Sequence, residues 1–275
     1  MIELPEALTL ADQLNATIRN KRIAKVTTGH TPHKFAWYYG DPAQYSVLLD
    51  GKAIDKAVAF GGLVEIRAGD AVMLFGDDVS LRFHKKNESR PERHQFLVEF
   101  EDLSAISASV KMYGGVGCFR GGELDNRYYR VAREKPSPLS ESFNEEYFSR
   151  LISAPDLQRL SAKAFLATEQ RIPGIGNGVL QDILFKARVH PKKKVCAFTD
   201  EERRSLFQSI KTVFREMSRR GGRDMETDLF GRRGGYKTKM SKNTVGKPCP
   251  ACGNIIAKES YLGGSIYFCA QCQKL

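Results

Sequence analysis

Residues 249–272 read CPACGNIIAKESYLGGSIYFCAQC, and this stretch decides how the end of the chain folds. It holds two Cys-x2-Cys pairs, Cys249/Cys252 and Cys269/Cys272, with sixteen residues between the pairs. Two such pairs at this separation predict a tetrahedral zinc site with four thiolate ligands. Because four thiolates leave no open coordination position, we expect one Zn²⁺ with a structural role.

The residues between the two cysteine pairs predict a short β-hairpin. Apolar residues occur in Ile255-Ile256 and again in 266–268, and Gly263-Gly264 between them suits a turn. A hairpin of this size has little core, so we expect the metal to hold it together. The alternative is four unrelated cysteines near the C-terminus. The two other cysteines, Cys118 and Cys196, are expected to be ordinary thiols.

The positive charge of the chain is concentrated in its second half. The 275 residues carry a net charge of +11; residues 1–135 hold 19 basic and 18 acidic side chains, and residues 136–275 hold 24 and 14. This asymmetry favours a polyanionic partner over an acidic small substrate. The stretch 219–247 has nine Lys or Arg residues against three acids, with Arg232 and Lys237 among glycines. It predicts a loop that reaches around a ligand, or alternatively a solvated surface.

Several classes of protein are excluded by composition. No apolar run approaches the roughly 18 residues that span a bilayer, and the start Met1–Glu6 lacks the basic and apolar regions of a signal peptide. We therefore expect an intracellular protein, cytoplasmic in a bacterium and without a membrane partner. In such a reducing compartment the six cysteines are not expected to form disulfides.

Two regions with different hydrophobic patterns follow one another. Residues 5–19 predict a helix, and short apolar or alternating runs over 23–131, Tyr45–Leu49 among them, predict strands of an antiparallel sandwich or barrel. Pro and Ser residues in 134–142 are typical of a linker. We expect domains over residues 1–135, 136–222 and 223–275. The second of these is predicted to be helical over residues 144–153, 156–169, 176–187 and 200–220.

A glycine-rich turn precedes one of the predicted helices. Gly174, Gly176 and Gly178 stand directly before an amphipathic segment, Asn177 lies among them, and Lys163 lies on the preceding helix. Free N–H groups at a helix start favour a phosphate, and glycine permits close approach of the backbone. The segment is therefore a candidate for contact with a DNA backbone. The alternative is a tight turn between two helices.

These motifs together resemble the formamidopyrimidine-DNA glycosylase / endonuclease VIII family of base-excision-repair enzymes. The opening, Met1–Glu6, is similar to the family's Met-Pro-Glu-Leu-Pro-Glu. Residues Gly174–Pro191 are similar to its helix–two-turn–helix segment, and Lys247–Gly253 with Phe268–Gln273 are similar to its zinc hairpin. The resemblance covers the whole chain, and the motifs follow one another in the same order as in the family.

The resemblance implies an α+β fold with DNA across a cleft. An N-terminal helix and a two-layer antiparallel β-sandwich would precede a helical domain with the helix–two-turn–helix and a C-terminal four-cysteine zinc β-hairpin. In the family, the amine of an N-terminal proline attacks C1′ of a flipped, damaged nucleotide. The base leaves, a Schiff base forms and elimination cuts the backbone. The implied partner is double-stranded DNA, damaged or abasic, bound by a monomer associated with the nucleoid.

The expected site residues fall into two groups besides the four cysteines. The catalytic-type candidates are Met1, Glu3, Glu6 and Lys52. The candidates for DNA contact are Lys163, Gly176, Asn177, Arg232 and Lys237. Two alternatives stay open. Glu3 and Glu6 could be ordinary acids at a helix start, because negative side chains suit the first turn of any helix. Lys52 could be an ordinary turn lysine.

The sequence departs from the family pattern at two functional positions. Ile2 stands where the family has proline, so we expect Met1 to be retained; Gly264 stands where the zinc hairpin has a phosphate-contacting arginine. Met73 and Phe119 are candidates for filling the gap left by a flipped base. One hypothesis is an active glycosylase that uses the Met1 amine or a water molecule. Another is a catalytically inactive damaged-DNA-binding zinc protein; an RNA-binding zinc protein explains less of the sequence.

Overall fold

The computed structural model describes residues 1–275 and begins with a helix that packs on a β-sandwich. Helix α1 (Leu4–Ile18) has Pro5 in its first turn, where a missing N–H costs nothing. The Glu6 carboxylate accepts the Glu3 N–H at 3.3 Å and so caps the helix start. The face that carries Leu14 is buried, so that α1 joins the sandwich core.

The sandwich consists of two sheets. Its nine strands are β1 (Ile23–Thr28), β2 (Ala36–Tyr39), β3 (Lys56–Phe60), β4 (Leu63–Ala68), β5 (Ala71–Gly76), β6 (Val79–His84), β7 (Phe96–Phe100), β8 (Ala105–Val110) and β9 (Gly114–Arg120). One sheet has the order β1-β7-β8-β6 and the other β2-β9-β5-β4-β3. Every pair is antiparallel except β2 with β9, which is parallel. Phe75 and Phe96 meet edge to face between the sheets, with ring centroids 5.7 Å apart.

Two elements of the first half differ from expectation. Tyr45–Leu49 is a helix, α2, and not a strand, because Asp41 caps the preceding turn and Pro42 opens it. Tyr45 and Leu49, four residues apart, then point together into the core and are fully buried. A second helix, α3 (Arg127–Glu134), begins where Asn126 accepts the Tyr129 N–H and lies at the end of the region expected to be strands.

The second half is helical, as predicted. Its helices are α4 (Glu145–Ile152), α5 (Ala162–Ala167), α6 (Val179–Ala187) and α7 (Asp200–Arg219). The helix expected over 156–169 is shorter, because Ser161 caps its start by accepting the Ala164 N–H. Thr199 and Glu202 form a capping box at the start of α7. Phenylalanines from three segments, Phe143, Phe165 and Phe214, are fully buried in the core of this half.

The chain ends in the predicted hairpin. Strands β10 (Ala257–Tyr261) and β11 (Gly264–Phe268) pair antiparallel, and Leu262 and Gly263 between them both have positive φ, 48° and 70°. The expected α+β architecture is thereby confirmed. The domain boundaries at residues 135/136 and 222/223 stay predictions. No helix of the structure is both long and apolar enough to cross a membrane.

Side chains from each half complete the core of the other. Leu4, at the start of α1, belongs to the helical core, while Leu229 is fully buried in the sandwich core. Residues 223–230 therefore run from the end of α7 back to the sandwich. As a result, the N-terminus and the stretch after α7 lie between the two halves.

Candidate nucleic-acid interface and N-terminal site

The Glu3 carboxylate lies at the glycine-rich turn before α6. Its two oxygens accept the N–H groups of Gly176, Gly178 and Val179 at 3.0, 2.8 and 2.8 Å, and its side chain is 2% exposed. These N–H groups point out of the start of α6, where they and the helix dipole favour an anion. The anion at this helix start is thus the protein's own Glu3. The Gly176 N–H, expected to contact phosphate, is engaged within the protein.

Arg223 neutralises this carboxylate and a second one. Its guanidinium donates to Glu3 Oε1 at 2.9 Å and to both Glu6 oxygens at 3.0 and 2.8 Å, and also to the Met1 carbonyl at 3.1 Å. All three charged side chains are at most 5% exposed. Burial alone lowers the pKa of Arg223, but Glu3 and Glu6 outweigh it and the pKa is raised. The cluster joins α1, the start of α6 and the segment after α7.

Two of the three glycines of the turn are explained by this cluster. A Cβ on Gly178 would lie 1.6 Å from Arg223 Nη1, and one on Gly176 would lie 2.7 Å from Glu3 Cδ. Only glycine leaves room for the carboxylate and the guanidinium. The close approach that the glycines permit is therefore an approach of protein side chains.

The α-amine of Met1 lies between two other carboxylates. It is 2.8 Å from Asp78 Oδ1, in the turn between β5 and β6, and 2.8 Å from Glu226 Oε2. The next nitrogen of the backbone, the Ile2 amide, donates to the Asp77 carbonyl at 2.6 Å, and the Ile2 side chain is buried. The α-amine at this site is therefore a primary one, one residue before the family's proline position.

Three polar side chains meet where α5, α6 and the zinc hairpin join. Lys163 Nζ donates to the Tyr261 carbonyl, and Asn177 and Gln181 both donate to the Ser265 carbonyl at 3.1 Å. Lys163 is 5% exposed and has no ion-pair partner, and burial lowers its pKa. The structure thus brings two of the expected DNA-contacting residues, Lys163 and Asn177, to one place.

Gly264 of the hairpin lies against the same place. A Cβ at this position would be 3.4 Å from Lys163 Nζ and 3.5 Å from Asn177 Nδ2. The position where the family has arginine is therefore adjacent to both side chains, although no cation stands there. Lys163 is the cation that remains at this junction.

The basic stretch 219–247 is pinned to the body of the protein and does not extend freely as a loop. Its three acids are anchors: Asp224 accepts from Thr238, Glu226 binds Met1, and Asp228 accepts from Gln13 of α1. Buried Asp182 on α6 accepts the N–H groups of residues 239 and 240 at 2.8 to 3.1 Å.

The two residues of this stretch that were expected to contact DNA lie on the surface. Lys237 is exposed and has no ion-pair partner. Arg232 is exposed, 3.7 Å from Asp228, and its guanidinium covers the Phe230 ring.

Lys52 lies away from the N-terminal site. Its ammonium pairs with Asp70, whose pKa is lowered chiefly by that hydrogen bond, and Asp70 also binds Arg120. Asp70 and Asp77 stand at opposite ends of β5, which at roughly 3.3 Å per residue separates them by about 20 Å. Met73 and Phe119, the expected gap-filling residues, are buried in the sheet and cannot enter DNA.

The four cysteines of the hairpin form a metal centre. Their Sγ atoms all lie within 4.8 Å of one another. The separations are 3.9 Å for Cys249 and Cys272 and 3.4 Å for Cys252 and Cys269. Zn–S bonds of about 2.3 Å in a tetrahedron place sulfurs about 3.8 Å apart, so the cluster fits one structural zinc, as predicted. Gln273 ties the site to the end of α6 through the Val189 carbonyl at 3.0 Å.

Sequence reasoning missed the residues that hold the N-terminus. Arg223, Asp78 and Glu226 do not stand in any recognisable motif. The one signal in the sequence concerns Glu226. It is one of three acids within the strongly basic stretch 219–247, and isolated acids in such a stretch suggest specific partners. The partners of Arg223 and Glu226 lie more than 200 residues away in sequence.

Two family models match this chain. The formamidopyrimidine-DNA glycosylase H2TH domain matches residues 135–228, and the zinc finger found in FPG and IleRS matches residues 246–275. Relatives match over nearly the full length. The formamidopyrimidine-DNA glycosylase of Lactobacillus gasseri is 25% identical over 100% of this chain and 99% of its own. That of Symbiobacterium thermophilum is 28% identical over 99% and 89%.

Solved structures share the fold. The MutM (Fpg) protein of Thermus thermophilus matches with a TM-score of 0.81 and 24% identity over 98% of both chains. Lactococcus lactis Fpg, in complex with DNA containing an abasic site, matches with a TM-score of 0.85 and 21% identity over 99% of this chain and 100% of its own. The chain therefore carries the formamidopyrimidine-DNA glycosylase H2TH domain followed by the zinc finger found in FPG and IleRS, and it is similar to formamidopyrimidine-DNA glycosylases over nearly its whole length.

Proposed function

We propose that this protein is a base-excision-repair DNA glycosylase and abasic-site lyase-like protein that binds damaged double-stranded DNA. The observation that carries the proposal is the junction of Lys163, Asn177 and the zinc hairpin. A buried lysine without a carboxylate partner is costly, and a DNA phosphate supplies the missing charge. Asn177 offers an amide donor at the same place. Arg232 and Lys237 add exposed positive charge on the segment after α7.

The charge distribution supports a DNA partner. The excess of +10 in residues 136–275 lies on the half that carries the junction and the zinc hairpin. Contacts of this kind neutralise phosphates and release counterions, so that binding weakens as salt rises. We therefore propose that the second half binds the phosphates of the DNA backbone and thereby places the N-terminal site at the damaged nucleotide. We further propose a monomer in the cytoplasm, associated with the nucleoid.

The chemistry we propose uses the Met1 α-amine on an abasic site. Asp78 or Glu226 accepts a proton from the ammonium group, and the freed lone pair of the nitrogen forms a bond to C1′ of the open-chain sugar aldehyde. The carbonyl oxygen takes up a proton, and loss of water leaves a C=N bond between Met1 and the sugar. Glu3 and Glu6 then act by positioning the N-terminus, because Arg223 and the start of α6 occupy their oxygens.

A second candidate is a damaged-DNA-binding protein without chemistry. The Met1 ammonium group forms ion pairs with Asp78 and Glu226, and the buried Ile2 fixes the backbone beside it. An ammonium held in this way binds an abasic site electrostatically and forms no bond to it.

One series of measurements tests both candidates. Intact mass of the purified protein establishes whether Met1 is present. Fluorescence anisotropy with labelled duplexes compares an abasic site with an intact sequence, and borohydride trapping on the abasic duplex tests the amine. Preferential binding with a trapped adduct that maps to Met1 supports the enzyme. Preferential binding without an adduct supports the binding protein, and equal affinity for both duplexes contradicts both.

A further inference from the structure

Four large side chains at one edge of the sandwich are exposed or partly exposed to solvent. Phe35, Trp37 and Met112 are 49%, 50% and 67% exposed, and Tyr113 is partly exposed beside them. The Trp37 and Tyr113 rings lie 5.8 Å apart, tilted by 42°. We call these four residues the aromatic patch. Apolar side chains grouped in this way on a surface are typical of a binding site.

The patch is built by the one parallel strand pair of the sandwich. Strand β2 pairs with the start of β9, so that Trp37 lies opposite Gly115, close to Tyr113 in the chain. Alternate residues of a strand share a face, which puts Trp37 and Tyr39 on one side of β2, and Phe35 lies in the turn that leads into the strand. Of the three, only Tyr39 packs down onto the sheet, against Gly115 and Gly117. The two rings before it are left available to a ligand.

The patch adjoins the N-terminal site. The Tyr113 carbonyl accepts the Asp78 N–H at 3.0 Å, and the Lys111 N–H donates to the Asp78 carbonyl at 3.1 Å. The carboxylate of the same Asp78 binds the Met1 amine. A DNA strand whose nucleotide reaches Met1 therefore passes beside the aromatic patch.

Two free cations flank the patch. Lys34 Nζ lies 5.4 Å from the centroid of the Phe35 ring, and Lys111 is exposed on the other side. Neither lysine has an ion-pair partner. The acids nearest to Tyr113 are Asp77 and Asp78. Asp78 is paired with the Met1 amine, and burial raises the pKa of Asp77. Aromatic faces with lysines on both sides match a base and its neighbouring phosphates.

We propose that the aromatic patch binds an unpaired nucleobase of the DNA, which stacks on Trp37 while Lys34 and Lys111 contact the adjoining phosphates. This inference rests on the proposed function, because it requires DNA at the N-terminal site. A base that has lost its partner exposes an apolar face to water, and stacking on the Trp37 and Tyr113 surface covers it. The patch thereby favours DNA whose bases are already unpaired over intact duplex.

The fluorescence of Trp37 provides a direct test, because it is the only tryptophan of the chain. The wild-type protein is titrated with three duplexes of equal length: intact, with one abasic site, and with one unpaired bulged base. We expect the bulged and abasic duplexes to quench the emission and the intact duplex to leave it nearly unchanged. If all three duplexes bind by anisotropy without quenching of Trp37, the proposed role of the aromatic patch is wrong and the proposed function stands. If no duplex binds, both proposals are wrong.

Variants test the energetic contribution. Stacking of one base on an aromatic side chain predicts that Trp37→Leu weakens binding of the bulged duplex about tenfold and changes binding of intact duplex little. Tyr128→Leu, at an aromatic residue 53% exposed on α3, is the matched control. Lys34→Gln and Lys111→Gln are compared with Lys86→Gln, an exposed lysine without an ion pair. Equal losses for Trp37→Leu and its control, with both variants folded by circular dichroism, contradict the inference.

Discussion

At the level of single residues, the N-terminal site consists of charges that satisfy one another. Glu3 accepts four donors, three from the start of α6 and one from Arg223. Because these groups are buried, each depends on the others: removal of one partner leaves an unpaired charge in a medium of low dielectric constant. Glu3 and Glu6, two of the catalytic-type candidates, thus stabilise the contact between α1, the start of α6 and the segment after α7.

Arg223→Met tests this interdependence. The substitution leaves Glu3 and Glu6 buried without a cation, and we expect the free energy of unfolding to fall by about 3–5 kcal/mol. Urea denaturation followed by circular dichroism measures the change. Arg219→Met, at an exposed arginine of α7, is the control and should stay within about 0.5 kcal/mol of wild type. A loss for Arg223→Met no larger than that of the control shows that the cluster is not stabilising.

Lys163→Met tests the phosphate contact at the junction. Loss of one phosphate contact reduces the slope of log K against log salt by about 1 and weakens binding to all duplexes alike. Anisotropy titrations between low and moderate salt measure both quantities. Lys186→Met, at an exposed lysine of α6, is the comparison. An unchanged slope for Lys163→Met contradicts a direct contact between Lys163 and phosphate.

At the level of elements, the zinc hairpin is a small structure with two supports. The metal is one support, beside a cluster of only five buried residues. The other is docking on α6 and the turn after it, through Gln181, Gln273 and the contact of His190 with the Phe268 ring at 4.5 Å. Its turn reaches Lys163 through the Tyr261 carbonyl. The hairpin therefore completes the proposed DNA junction as well as closing the chain.

Removal of zinc should unfold the hairpin and spare the rest. We expect one zinc per chain by elemental analysis. After chelation, the binding of duplex DNA should fall at least tenfold, while the helical signal in circular dichroism is retained, because the helical core contains no residue of the hairpin. Cys269→Ser should reproduce this result, and Cys196→Ser is the control at an exposed thiol outside the site. Full DNA binding by zinc-free protein contradicts this role of the metal.

At the level of the whole molecule, the two halves are interlocked. Leu4 packs in the helical core, Leu229 packs in the sandwich core, and the Arg223 cluster lies where the two chain segments cross. Neither half thus has a complete core of its own. The buried contacts consequently fix the position of one half against the other.

Leu229→Ala should therefore destabilise both halves together. Loss of a fully buried leucine costs roughly 2–5 kcal/mol. The fluorescence of Trp37 reports on the sandwich and far-ultraviolet circular dichroism mainly on the helices. We expect the two signals to change at the same urea concentration, in the variant as in the wild type. Leu262→Ala, at an exposed leucine, is the control; two separate transitions contradict the interlocked arrangement.

Much of the fold could be predicted because its signals are local. The spacing of the four cysteines, the helical period of α7 and the alternating runs of the sandwich each lie within a short stretch of chain. Tyr45–Leu49 shows the limit of such signals: a short apolar run suits a strand or a buried helix, and contacts with the core decided between them.

The zinc site, the order of sandwich and helices, and the basic character of the second half follow from the sequence, since spacing, period and charge are properties of the chain. The partners of the glycine-rich turn and of the N-terminus became known from the folded structure. The anion at α6 is Glu3, and the carboxylates at Met1 come from Asp78 and Glu226. The physical reason is that a buried charge is stabilised by whichever partner the fold brings within about 3 Å, and sequence separation does not reveal that partner.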